Sequence, residues 1–140
     1  MPDLWKRAPA GLPARKGNIR VIAGGPLLDL KELQRLVAQR VLGEDHLRVA
    51  TPKCDRDLEN YQWTYDDVLQ MLGCMLEQDY RKSEWCQVRG GEEYPCDVYV
   101  FPYDETRRQR NRNGLEIYLK FSVDESGMLT LVLVSCHGSR

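Results

Sequence analysis

Residues 114–137 read GLEIYLKFSVDESGMLTLVLVSCH, and this stretch decides the fold. Leu115, Ile117, Leu119, Phe121 and Val123 alternate with Glu116, Tyr118, Lys120 and Ser122, a period of two that belongs to a strand with one buried face. Met128–Cys136 is a further β-rich run, and Asp124-Glu125-Ser126-Gly127 between the two supplies the turn residues of a hairpin. With Ser126-Gly127 as a two-residue turn, Tyr118 opposes Ser135 and Glu116 opposes His137. A loop longer by two moves the partners and leaves the faces, since only an odd slip exchanges them. Tyr118, Lys120, Ser135 and His137 are therefore expected on one face, opposite the apolar one.

Upstream, Cys96–Phe101 is rich in β-branched and aromatic residues and reads as another strand. It is joined to the next by a polar loop, DETRRQRNRNG, carrying Arg107, Arg108, Arg110 and Arg112. Two helices precede the strands. Asp29 and Glu32 form a capping signal ahead of Leu30, Leu33, Leu36, Val37 and Val41, predicting a helix over about 30–42 that ends at Gly43. Thr64 and Asp67 repeat the signal ahead of Tyr65, Val68, Leu69, Met71, Leu72, Met75 and Leu76, predicting a second over about 65–78. Residues 44–63 lack a sustained period and contain Pro52, so they read as loop, as does the polar stretch from Asp79 to the Gly90-Gly91 turn. Residues 1–26 hold four of the seven prolines and Lys6, Arg7, Arg15, Lys16 and Arg20 against one acid, which marks a basic arm with at most a short strand at 19–23. Residues 27–140 then form a single α+β domain: two N-terminal helices packed on a C-terminal antiparallel sheet of three or more strands.

With 140 residues the chain suits one core, and its net charge of -1 excludes a polyelectrolyte that binds nucleic acid through overall charge. Its longest apolar run, 131–134, is far too short to span a bilayer, and no signal-peptide core follows the basic N-terminus, so a cytoplasmic protein without membrane contact is expected. The five cysteines never form C-x-x-C, and His46 and His137 are the only histidines, so neither a metal site nor a cofactor is expected.

A Tyr, a Lys and a His on one strand face suit a particular reaction. Cleavage of RNA by its own 2′-hydroxyl needs a proton acceptor, a proton donor for the leaving 5′ oxygen and cations for the phosphorane, with no enzyme nucleophile and no metal. The same residues also suit a merely solvated sheet face, and arginines in a hairpin loop suit either phosphates or water.

Four motifs carry a resemblance. Asp79-Tyr80-Arg81-Lys82-Ser83, Pro95-Cys96-Asp97-Val98-Tyr99, Ile117-Tyr118-Leu119-Lys120 and Leu133-Val134-Ser135-Cys136-His137 resemble, in order and spacing, motifs of the MqsR family of bacterial mRNA interferase toxins, over about residues 64–137. The resemblance implies a RelE-like α+β fold, ribosome-independent cleavage of single-stranded mRNA, and neutralisation by a cognate antitoxin. It places the family's functional lysine on Lys82 and its tyrosine on Tyr118. The family's glutamine falls on Cys96 and its terminal lysine on His137, whose ordinary pKa of about 6.5 suits proton transfer near neutrality. Lys82, Tyr118 and His137 are accordingly the candidate catalytic residues; Lys120, Arg108, Arg110, Arg112 and Cys96 are candidate RNA contacts. An RNA-binding or antitoxin-binding module that has lost catalysis is the alternative. A nucleophilic Cys136 or Cys96 is a weaker third, because Cys136 and His137, adjacent on a strand, point to opposite faces.

Overall fold

Side-chain caps start all three helices. Asp29 accepts from the Glu32 N–H at 3.1 Å, Thr51 from Cys54 at 3.1 Å and Thr64 from Asp67 at 3.1 Å, each satisfying a first-turn donor. In the computed structural model, which describes residues 4–139, the elements in chain order are β1 (Val21–Ile22), α1 (Leu30–Ala38), β2 (Leu47–Val49), α2 (Pro52–Tyr61), α3 (Tyr65–Cys74), β3 (Tyr80–Gln87), β4 (Glu93–Asp104), β5 (Gln109–Arg110), β6 (Leu115–Asp124) and β7 (Thr130–Gly138). They build one seven-stranded sheet in the order β1-β3-β4-β6-β7-β2, with β5 paired to the end of β4. Every pairing is antiparallel except β2 with β7, which run parallel.

This corrects the expected architecture of two N-terminal helices on a small antiparallel sheet. Among the described residues there are three α-helices and a mixed sheet, and strands precede and interrupt the helices. Each missed element has a physical reason. In α2 only Cys54 and Leu58, one turn apart, are buried, so its apolar stripe is too narrow to show as a period. Pro52, which reads as a breaker, occupies the first turn, where its missing N–H costs nothing. β2 contributes three residues, too few for alternation to register. β3 looks like loop because its solvent-side positions carry Lys82 and Glu84, which satisfy each other as an ion pair rather than facing water singly.

The helices cover one face. Leu33, Leu36, Cys54, Leu58, Val68, Met71 and Leu72 pack against Tyr99, Phe101, Ile117, Leu119, Phe121, Leu131, Leu133 and Cys136 in the main core. The described part of the basic arm joins this layer: Leu4 is fully buried and Trp5 bridges to Leu28. Buried Asp97 ties the segment down, accepting from the Leu27 and Leu28 N–H groups at 3.1 and 3.0 Å and from the Ser83 hydroxyl at 2.6 Å. Half of the opposite face is closed by a smaller cluster of Ala50, Cys86, Val88, Cys96, Val132 and Val134. The other half stays open.

A bulge sets what that open half displays. Near the hairpin, Phe121 pairs with Leu133, whereas beyond it Lys120 pairs with Ser135, so Val134 is the extra residue on β7. Its carbonyl, left by the ladder, accepts from the Thr51 hydroxyl at 2.9 Å, which links the bulge to the start of α2. Among the described residues no helix is long and apolar enough to cross a membrane.

Candidate active site

Two cross-strand rows meet on the open half-face. Lys82 on β3 pairs with Val98 on β4, Val98 with Lys120 on β6, and Lys120 with Ser135 on β7. The next row runs Val100, Tyr118, His137. Directly opposed positions have Cβ atoms about 5 Å apart. Lys82, Lys120, Tyr118 and His137 therefore come together from three strands, although Lys82 arrives from the middle of β3 and not from a helix end. Tyr118 opposes His137 itself rather than Ser135, because the bulge and a five-residue loop together shift the register by an even step.

The aromatic pair is ordered. The Tyr118 and His137 rings stack with centroids 5.0 Å apart and 8° between planes. His137 Nδ1 lies 2.7 Å from the Gly138 carbonyl, which can only accept, so the Nδ1–H donates and in neutral imidazole Nε2 carries the lone pair. No described residue hydrogen-bonds to Nε2 or to the Tyr118 hydroxyl, and both residues are half-buried. The Gly138 N–H donates to the Tyr61 hydroxyl at 3.0 Å, and Tyr61 stacks on Trp63 at 4.2 Å, so the end of α2 braces the carbonyl that orients the histidine.

The charged part was not foreseen whole. Glu84, with only 3% of its side chain exposed, accepts from Lys120 Nζ at 2.8 Å and pairs with Lys82 Nζ at 3.1 Å. Burial pushes the Glu84 carboxyl up, and hydrogen bonds from Lys120 and Lys82 more than offset it, leaving its pKa below the usual range. Lys120 is the mirror case: burial pushes it down, and Glu84 together with nearby groups holds it above the ordinary lysine value. Its ammonium also sits 5.9 Å from the Tyr118 ring centre, within cation–π range. Lys82 keeps 46% of its side chain exposed and forms the open edge of the cluster. Reading 80–87 as a strand would have revealed Glu84, since Lys82, Glu84 and Cys86 then share a face.

Three candidate RNA contacts lie elsewhere. Arg110 reaches the helical side, where Nη1 and Nη2 donate to Asp79 at 2.6 and 2.9 Å. Arg108 pairs with Asp66 at 2.7 Å and Asp67 at 3.2 Å on α3. Arg108 and Arg110 thus dock the β4–β5 hairpin onto α3 and the segment after it, and both are already neutralised by carboxylates. Cys96 is fully buried beneath the open face, with burial as the main cause driving its thiol well above the ordinary value. Cys136 is buried in the helix-side core and is likewise driven up by burial, so neither thiol has the exposed, low-pKa setting of a nucleophile. Of the three candidate loop arginines Arg112 alone is exposed, as is its neighbour Arg107, and Arg112 lines a shallow cleft with Leu115 and Glu116 at the edge of the open face.

Comparison with protein-family models, curated proteins and solved structures finds no match.

Proposed function

We propose that this chain is an endoribonuclease that cleaves single-stranded RNA by attack of the substrate's own 2′-hydroxyl, and that it serves as the toxin of a toxin–antitoxin pair. The supporting observation is the convergence of His137, Tyr118, Lys120 and Lys82 on one open half-face, with the lone pair of Nε2 left without a hydrogen bond from any described residue. His137 Nε2 takes the 2′-hydroxyl proton as O2′ bonds to phosphorus. The bond from phosphorus to O5′ breaks, and the Tyr118 hydroxyl gives its proton to the departing oxygen, with His137 and Tyr118 re-equilibrating through solvent. Lys82 and Lys120 face the charge that develops on the non-bridging oxygens. The products are a 2′,3′-cyclic phosphate and a 5′-hydroxyl. The toxin role and the antitoxin partner rest on the likeness of the four motifs to the MqsR family.

A binding module without catalysis is the second reading. It is favoured by Cys96, whose buried thiol stands where that family carries an amide. Incubation of the purified protein with single-stranded RNA in EDTA, followed by end analysis, separates the two. Cyclic phosphate ends, with His137→Ala slower by about 10²–10⁴-fold, support the enzyme; intact RNA that is nonetheless bound supports the module.

A further inference from the structure

A carboxylate buried against apolar neighbours carries a large desolvation cost, and well-packed apolar residues in place of a buried ion pair are often neutral or stabilising. Glu84 is such a group. Its neighbours on the face include Cys86, Cys96 and Val98, yet its side chain is 3% exposed and pairs with two lysines. Stability of the sheet gives no reason for it.

Its geometry gives one. The two carboxylate oxygens are divided between the lysines, Oε1 to Lys82 and Oε2 to Lys120. A lysine stem has large rotamer freedom, so two unrestrained ammonium groups would lose it at each encounter with substrate. Divided between both oxygens of one fixed carboxylate, they are set before substrate arrives, with Lys120 aligned toward the Tyr118 ring. We infer that Glu84 is a positioning residue, holding Lys82 and Lys120 as a fixed and charged pair toward the scissile phosphate; the inference rests on the ribonuclease reading.

The groups that face Lys120 are Lys82, Glu84 and Cys86 from β3, Cys96 from β4, Tyr118 from β6, and Ser135 and His137 from β7. Of these only Glu84 is a carboxylate. With 12% of the Lys120 side chain exposed, burial favours loss of its proton, and the hydrogen bond to Glu84 is the largest influence opposing it, with Cys86 and Tyr118 adding to it. Lys120 thereby acts as a cation throughout the neutral range, which leaves proton transfer to His137 and Tyr118.

Glu84→Gln preserves shape and removes the charge. It lowers kcat by about 10- to 100-fold with KM changed far less, and draws the alkaline limb of the rate profile down by about one unit or more. Glu84→Asp restores that limb by returning the charge. A Glu84→Gln enzyme with altered melting temperature and an unmoved profile has lost only a structural group, and overturns the inference. An activity-independent measurement stands beside it: NMR of ¹³Cε-labelled lysine in the wild-type protein, with Lys120 assigned from Lys120→Arg. Lys120 titrating above the exposed lysines supports the clamp, and Lys120 titrating with them refutes it, including where Glu84→Gln does not fold. Wild-type protein that leaves RNA intact removes the ribonuclease reading, and the titration then decides the clamp by itself.

Discussion

Replacing Arg110 with alanine separates a structural loop arginine from a phosphate contact. In the folded protein its guanidinium makes two charge-assisted bonds to Asp79, at 2.6 and 2.9 Å, and a third to the Cys74 carbonyl at 3.3 Å. Asp79 has 6% of its side chain exposed and keeps only the Leu76 N–H, at 2.7 Å, once the arginine is gone. Two such bonds at about 1.5–3 kcal/mol each, reduced because the arginine is partly open to solvent, amount to about 2–4 kcal/mol. For a domain of this size each kcal/mol moves Tm by about 3–5 °C, so Arg110→Ala melts about 6–20 °C lower. RNA affinity measured by fluorescence anisotropy keeps its dependence on salt, because no phosphate partner has been removed. Arg112→Ala does the reverse: Tm holds and the log–log salt slope falls by about 0.7, the contribution of one phosphate contact on a single strand. An Arg110→Ala protein with unchanged Tm and a flatter salt slope would show the loop turned toward RNA, and the docking argument would be wrong.

Asp97→Ala strands the Leu27 and Leu28 N–H groups and the Ser83 hydroxyl, and is expected to cost about 2–5 kcal/mol in urea unfolding, with Asp97→Asn milder because its amide oxygen still accepts; equal losses in both would refute the acceptor role. Glu84 makes stability depend on acid: its folded pKa lies below the ordinary 4.5, so its contribution is complete above that value and is lost as pH falls through the lower folded one. Urea midpoints followed downward from pH 6 should therefore drop more steeply for wild type than for Glu84→Gln, and parallel curves would contradict the ion-pair geometry.

Much of the fold was legible because its signals are local. The caps at Asp29 and Thr64 and the alternation over 115–124 each arise within a few residues of themselves, and the structure has those helices and that strand. α2 and β3 were not legible for the opposite reason. The two buried residues of α2 find partners on β7, and Glu84 of β3 finds its second lysine on β6, so part of the pattern that would identify them lies on other strands. The site divides in the same way. That Tyr118 and Lys120 share a face follows from alternation along one strand, whereas His137 joins them only because the bulge at Val134 undoes the odd step of the five-residue loop. That Arg108 and Arg110 turn away from that face depends on carboxylates of α3 and of the segment after it, which no spacing within the loop announces.

What the chain order alone determined is the strand period and the helix starts, since each is set by backbone geometry over short range. Which residues oppose one another, how the helices interleave with the strands, and which charges are spent on partners were decided only by the tertiary structure. The bulge at Val134 and the buried carboxylate at Glu84 each have a partner tens of residues distant, Thr51 in one case and Lys120 in the other.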